Sequence, residues 1–209
     1  MARATTPRTG PRRRKDGARR LDDLLDAALR CFEVRGVLGV GIEDIRREAG
    51  ASPSSVYNLF TDIDEIMLAL LVRVFEALFA ELAQRVCRTR TAESAVRTLV
   101  ESHIAWIEQH PAEGRYMYQA TMLEARGLRK EARQRLIAAK AMGLEPVLAH
   151  FRPFIERGEI PAWSPSMLDV VLLGAAHEGL RRWLAGAEDL APAKLRKSLP
   201  ALAWRSIQR

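Results

Sequence analysis

Apolar residues recur every three or four positions along most of the chain, which is the spacing of one buried face of an α-helix. A stripe of leucines ending in Phe32 predicts a first helix over residues 19–35. A second, longer stripe predicts a helix from residue 62 to about residue 88. The period-two alternation of a strand does not occur in the sequence, so the pattern predicts an all-α fold.

Between those two helices, residues 41–60 predict two short helices joined by a tight turn. The first ends at Gly50, which can adopt the left-handed conformation that closes a helix. Ser52 follows as an N-cap, with Pro53 at the first position of the next helix. The chemistry of these residues therefore specifies where one helix stops and the next begins.

The second short helix has an inward side made by Val56 and Phe60, which leaves its polar residues facing outward. A helix N-terminus with small side chains fits the major groove of B-DNA, and its free N–H groups suit phosphate oxygens. An αα-corner that only packs is the alternative interpretation. The predicted DNA-contacting residues here are Arg47, Ser52, Ser54, Ser55, Tyr57 and Asn58.

The net charge of +7 is concentrated at the N-terminus. Residues 1–20 hold eight Arg or Lys against one Asp, whereas residues 21–60 hold four against seven acidic residues. We therefore predict that residues 1–18 form a disordered basic arm that neutralises phosphates. A solubilising tail is the alternative. The predicted contacts of the arm are Arg12, Arg13, Arg14 and Lys15.

Residues from about Arg19 to Leu70 resemble the DNA-binding domain of TetR-type (TetR/AcrR-like) transcriptional regulators. The resemblance rests on Ala49-Gly50-x-Ser52, Val56-Tyr57-x-x-Phe60 and Asp62-x-x-Glu65-Ile66. The chain departs from the usual family pattern at Gly41, Arg46, Asn58, Leu59 and Ile63. The resemblance implies a three-helix helix-turn-helix domain over residues 19–61. It also implies a helical ligand-binding and dimerisation domain over residues 62–209, whose last two long helices pair across a twofold axis.

Polar and aromatic residues interrupt the apolar stripes of the region after residue 88. His103 lies in one such stripe, where it is either a ligand anchor or a core histidine bonded to a neighbouring carbonyl. The predicted ligand-contacting residues are His103, Trp106, Tyr116, Met117, Ala120, Met142 and His177. Small residues near the C-terminus allow a second helix to approach closely, and the predicted dimer contacts are Gly174, Ala175, Gly179 and Trp183.

The sequence contains no glycine-rich phosphate loop, no nucleophile motif and no Glu-x-x-His pair. Cys31 and Cys87 lack the spacing of a disulfide framework or zinc site. No stretch approaches the roughly 20 apolar residues of a membrane span, and no apolar segment follows the basic N-terminus. We therefore expect no enzyme activity, no cofactor, no bound metal, no membrane contact and a cytoplasmic location.

The expected function is that of a homodimeric regulator that binds double-stranded DNA. We expect it to act as a repressor, released from a palindromic operator by a small, mostly apolar effector. The alternative is a helical carrier of small molecules that does not bind DNA. A helical metalloenzyme is a third class, which the missing Glu-x-x-His pairs disfavour.

Overall fold

The computed structural model describes the backbone of residues 11–124 and 130–208, and the side chains of residues 17–121 and 130–208. Within these ranges the regular secondary structure consists of α-helices and short 3₁₀ turns, and no strand occurs, as the sequence predicts for an all-α fold. The α-helices are α1 (Pro11–Arg35), α2 (Ile42–Glu48), α3 (Pro53–Tyr57), α4 (Ile63–Val86), α5 (Ala92–Gln109), α6 (Pro111–Glu124), α7 (Lys130–Glu156), α8 (Pro165–Leu184) and α9 (Pro192–Ile207).

The chain divides into two compact units, one up to Leu70 and one from Leu71 onward. This division falls within α4, whereas the sequence analysis placed a boundary at the start of that helix, after residue 61. No helix in the part of the chain that the structure describes is long and apolar enough to cross a membrane.

In the first unit, α1 begins at Pro11 rather than at the predicted Arg19. Proline suits the first position of a helix, and the Arg and Lys residues that follow it are good helix formers. The backbone of residues 11–18, predicted as part of a disordered arm, is therefore helical. Residues 1–10 lie outside the described residues.

The core of the first unit forms where α1 packs against α2. Ala28 of α1, Ile45 of α2 and Val56 of α3 are fully buried, as their spacing predicts. α2 lacks a capping side chain at Gly41, and Asp44 replaces it by accepting a hydrogen bond from the Gly41 N–H at 2.9 Å. The three short helical faces thus enclose one small apolar core.

In the second unit, α5 is the central helix and packs against α8 and α9. Its inward residues Val100, Ile104 and Ile107 are fully buried. At the edge of this packing, the guanidinium of Arg196 on α9 donates a hydrogen bond to the carboxylate of Glu108 on α5. These three helices form the frame that positions the polar residues described below.

The helix α7 continues through Gly143, Pro146 and Pro153. Beside Pro146, the thiol of Cys87 donates to its carbonyl oxygen at 3.6 Å. Gly143 lies so close to Phe79 of α4 that an added Cβ would be 2.5 Å from the ring atom Cδ2. The glycine therefore permits the crossing of α4 and α7 instead of ending α7.

Candidate nucleic-acid interface and ligand site

The turn between α2 and α3 has the conformation that the sequence predicts. Gly50 adopts a φ of +60°, in the left-handed region that favours glycine. The Ser52 hydroxyl accepts a hydrogen bond from the Ser55 N–H at 3.3 Å, which makes Ser52 the N-cap of α3. The Ser54 and Ser55 hydroxyls lie 3.1 and 2.8 Å from the Ser52 hydroxyl, so the three serines form one small polar surface.

Tyr57 and Asn58 are exposed at the end of α3, together with Leu59. The Tyr57 hydroxyl donates a hydrogen bond to Glu43 on α2 at 3.3 Å. Because Glu43 also accepts from the guanidinium of Arg46 at 2.7 Å, Arg46 lowers the pKa of this carboxyl below its usual value. Sequence reasoning missed Glu43, although its position one turn before two arginines was visible.

Arg46 is one of the positions at which the chain departs from the TetR-type pattern. Its Nη1 donates to the carbonyl oxygen of Ala51 at 3.2 Å, and its Nε pairs with Glu43. The side chain thus lies along the turn and donates a hydrogen bond to one of its backbone acceptors. The departure from the family pattern at this position has a structural role.

Arg47 is exposed, but its guanidinium forms an ion pair with the Asp44 carboxylate, which lies 3.2 Å away. Arg35 of α1 reaches the same carboxylate at 3.2 Å. The hydrogen bond from the Gly41 N–H, followed by the contact with Arg35, lowers the pKa of Asp44 below its usual value. The side chains of Arg12, Arg13, Arg14 and Lys15 lie outside the described residues.

A chain of four polar side chains crosses the interior of the second unit. Asp169 lies 3.4 Å from the Nε2 of His177, and the His177 Nδ1 lies 3.3 Å from the Tyr118 hydroxyl. The Tyr118 hydroxyl lies 3.4 Å from the Nε2 of His103. These residues come from α8, α6 and α5, so three helices converge on the chain.

His103 is the buried end of this chain, with 1% of its surface exposed. Its ring packs edge-on against the His177 ring, with centroids 4.6 Å apart. Burial, followed by the neighbouring His177, lowers the pKa of His103 well below its usual range, so the ring is neutral near pH 7. Its Nδ1 has no hydrogen-bond partner among the described atoms.

The other predicted ligand residues divide into two groups. Trp106, Tyr116, Met117 and Ala120 are buried on α5 and α6, the helices that carry His103 and Tyr118. Burial raises the pKa of Tyr116. Met142 is 78% exposed on α7, which contradicts its prediction as a pocket residue, since the side chain points into solvent.

Sequence reasoning missed Tyr118 and Asp169. Tyr118 lies next to the inward stripe of α6, so a strict stripe excluded it. Asp169 is a single acid within the apolar run Leu168 to Leu173, and a lone charge in such a run is the signal that could have identified it. Asp169 remains 54% exposed, so it connects the chain of polar groups to solvent.

The predicted dimer residues differ in how far they are buried within the protomer. Gly179 is buried, and a Cβ there would lie 3.0 Å from Leu195 of α9 in the same chain. Its small size therefore serves the α8–α9 contact within the protomer, and its prediction as a dimer contact was wrong in this respect. Gly174 has no atom within 4 Å of an added Cβ, Ala175 is exposed and Trp183 is half-buried.

Among the described side chains, no group of three or more His, Cys, Asp or Glu residues is arranged to hold a metal ion. Cys31 is buried and Cys87 exposed, and both are free thiols.

The turn, its capped second helix and the exposed residues after it define a helix-turn-helix protein. Residues 24–70 match the sequence profile described as "Bacterial regulatory proteins, tetR family". This segment of the chain is therefore similar to the DNA-binding domain of that family of transcriptional regulators.

Two curated relatives share part of the sequence. The HTH-type transcriptional regulator BetI of Brucella anthropi is 31% identical over 78 residues, which are 37% of this chain and 40% of BetI. The uncharacterized HTH-type transcriptional regulator YobS of Bacillus subtilis is 27% identical over 108 residues, which are 52% of this chain and 54% of YobS. The match thus spans about half the length of these relatives.

Solved structures share the fold over nearly the whole chain. A TetR family transcription regulator from Marinobacter aquaeolei superposes with a TM-score of 0.73 at 18% identity, covering 94% of this chain and 98% of its own. FadR from Bacillus subtilis, in complex with stearoyl-CoA, superposes with a TM-score of 0.71 at 18% identity, covering 90% of this chain and 99% of its own. At such identities the likeness concerns the fold alone.

Proposed function

We propose that this protein is a homodimeric, DNA-binding transcriptional repressor that a small, mostly apolar effector releases from a palindromic operator. The observation that carries the proposal is the exposed polar surface of α3 after a capped helix-turn-helix turn, within the segment that matches the TetR family. Helix N-termini of this kind dock in the major groove of DNA. A regulator that binds DNA acts where the DNA is, and the proposed location is therefore the cytoplasm.

The first experiment is a gel-shift assay with the DNA that flanks the protein's own gene. We expect a retarded complex that survives excess random DNA. A carrier that does not bind DNA, the alternative function, would retard neither operator nor random DNA. Failure to shift any flanking fragment at low salt would count against the proposal.

Tyr57 tests the orientation of the proposed recognition helix. Tyr57→Ala removes an exposed ring from α3 and should lower operator affinity roughly tenfold, which corresponds to the loss of one good polar contact. The matched variant Tyr57→Phe keeps the ring and removes only the hydroxyl, which already bonds to Glu43. Equal affinity of wild type and Tyr57→Ala would exclude Tyr57 from the interface.

The basic residues Arg12 to Lys15 supply the charge that residues 21–60 lack. Replacing all four with Gln keeps good helix formers at the start of α1 while removing four positive charges. Each lost phosphate contact should make the slope of log affinity against log salt shallower by roughly 0.9. The preference for operator over random DNA should persist, because base edges are read elsewhere. An unchanged slope would remove these residues from the interface.

The homodimer is proposed on the apolar surface that α8 presents to solvent. Met167 and Val170 are 49% and 65% exposed, and Gly174 has open space beside it on the same helix. Gly174→Leu fits the protomer but should separate two copies that meet there, so sedimentation should shift toward the monomer. Val34→Glu, at a residue 83% exposed in the first unit, is the control that should leave the dimer intact. A dimeric Gly174→Leu variant would place the interface elsewhere.

The effector is proposed to bind among α5, α6 and α8, beside the buried His103 and Trp106. FadR, whose fold is similar, was determined in complex with stearoyl-CoA, a ligand with a long apolar part. Hydrophobic fragments should quench Trp fluorescence in the wild type, and Trp106→Phe should lose most of that response. A full response in the variant would refute this placement.

A further inference from the structure

The hydrogen bonds that join Asp169, His177, Tyr118 and His103 all point the same way, and the chemistry of the four groups determines which group donates and which accepts. The Asp169 carboxylate only accepts hydrogen bonds, so the Nε2 of His177 must carry the proton that faces it. In a neutral His177 the other ring nitrogen, Nδ1, is then an acceptor. The Tyr118 hydroxyl must therefore donate its single proton to the His177 Nδ1.

The same reasoning assigns the tautomer of His103. Since the Tyr118 proton points at His177, the Tyr118 oxygen is left as an acceptor for the Nε2–H of His103. A neutral His103 has only one N–H, so its Nδ1 is a bare acceptor. This is the nitrogen that is fully buried without a partner among the described atoms.

The reverse direction requires a doubly protonated His177 that donates to both Asp169 and Tyr118. A His177 ring with a single proton cannot donate to both partners, so the direction from His103 toward Asp169 is the one that a neutral ring allows. The neutral arrangement uses every available proton along the chain and leaves one buried acceptor. A buried acceptor without a donor is unfavourable, so it favours any ligand that supplies one.

We infer that the His103 Nδ1 recognises an uncharged hydrogen-bond donor, a hydroxyl or N–H group, on an otherwise apolar effector. The inference rests on the proposed function, because it places this group at the effector site. Trp106, Met117 and Ala120 are buried apolar residues on α5 and α6, the helices that carry His103 and Tyr118. A carboxylate would meet the bare nitrogen as a second acceptor and be repelled, so the site selects alcohols or phenols against acids.

Three probes of one shape test this selection by calorimetry on the full-length protein. We expect 2-naphthol, which donates a hydrogen bond, to bind roughly tenfold or more tightly than 2-methoxynaphthalene, which cannot donate. The anion 2-naphthoate should bind more weakly than either. In His103→Phe the preference for 2-naphthol should fall below about twofold, while 2-methoxynaphthalene should retain its affinity. Equal binding of the two neutral probes, a preference for 2-naphthoate, or binding of no probe would overturn the inference.

A measurement without any ligand tests the tautomer itself. Nitrogen-15 NMR of the wild-type protein should show His103 protonated at Nε2 and bare at Nδ1. Tyr118→Phe removes the acceptor that holds this tautomer, so the proton should redistribute to Nδ1 and the preference among the probes should shrink. A proton on Nδ1 in the wild type would overturn the inference even if His103→Phe fails to fold.

The outcome is separable from that of the proposed function. DNA binding by the free protein is measured without a probe, so a failed gel-shift counts against the regulator and leaves the tautomer and probe results standing. Conversely, an operator-binding protein that shows no preference for 2-naphthol overturns only the ligand class.

Discussion

The two units of the chain place their candidate sites in different physical settings. In the first unit the site is made of exposed side chains that bond to residues nearby in sequence, such as Tyr57 and Glu43, which are 14 positions apart. In the second unit it is made of buried side chains brought together from distant helices, such as Tyr118 and His177, which are 59 positions apart. The first site therefore depends on local backbone geometry, and the second depends on close packing.

The largest expected effect breaks the packing of the second unit. In Gly143→Ala the new Cβ would lie 2.5 Å from Phe79 Cδ2, so the α4–α7 crossing must shift. We expect the variant to lose about 2 kcal/mol of unfolding free energy in urea, despite the higher helix propensity of alanine.

A double-mutant cycle supplies the control for this prediction. Phe79→Val removes the ring that the new methyl group meets, so the penalty of Gly143→Ala should be smaller in that background. Purely additive effects would show that contact with Phe79 is not the reason for the glycine.

A smaller effect is expected where backbone conformation alone matters, at the turn of the first unit. Gly50 has a φ of +60° but nothing within 4 Å of an added Cβ, so Gly50→Ala tests strain without a clash. We expect a loss of about 1–2 kcal/mol, the cost of a left-handed alanine. Gly17→Ala, in the regular helix α1 with equally open surroundings, should be neutral or stabilising by up to about 1 kcal/mol. Similar behaviour of the two variants would contradict the left-handed turn.

This difference also explains how much of the molecule the sequence predicts. Helix periodicity and the residues Gly50, Ser52 and Pro53 act within a few positions, so they predicted the all-α fold and the turn, and both are confirmed. The start of α1 was wrong because a charged run was interpreted as disorder, although its residues also favour helix.

The buried chain of polar side chains could not be predicted from the sequence, because its residues are far apart along the chain. One sequence shows which face of a helix is apolar, but it does not show which face of a distant helix lies opposite. His103 and His177 were therefore identified as separate anchors, while Tyr118, which joins them, was missed. For the same reason Gly179 was assigned to a second copy of the chain instead of to Leu195 of α9.

Two adjacent arginines of the first unit differ in what they contact. Arg46 reaches the turn through one hydrogen bond to a backbone carbonyl oxygen. Arg46→Ala removes the hydrogen bond to the Ala51 carbonyl and should cost about 1 kcal/mol in chemical denaturation. Arg47→Ala, at the next position, removes an exposed ion pair with Asp44 and an exposed hydrogen bond to the Glu43 carbonyl oxygen, and should cost less than about 0.5 kcal/mol. Equal losses would mean that the ion pairs of α2, not the contact with the turn, stabilise this unit.

The last expected effect concerns pH and belongs to the second unit alone. The folded protein holds the pKa of His103 well below its usual value, whereas the unfolded chain binds a proton there near pH 6.5. Between those two pKa values the unfolded state carries more protons, so stability falls as the pH is lowered through this window and is fully present above it. Wild type should therefore lose more Tm between pH 7.5 and pH 5.5 than His103→Gln, by less than about 4 °C. His177, Tyr118 and Asp169, which face His103 through the polar chain, remain in both proteins, so the comparison isolates His103. Parallel Tm profiles would mean that this ring is not held neutral in the folded protein.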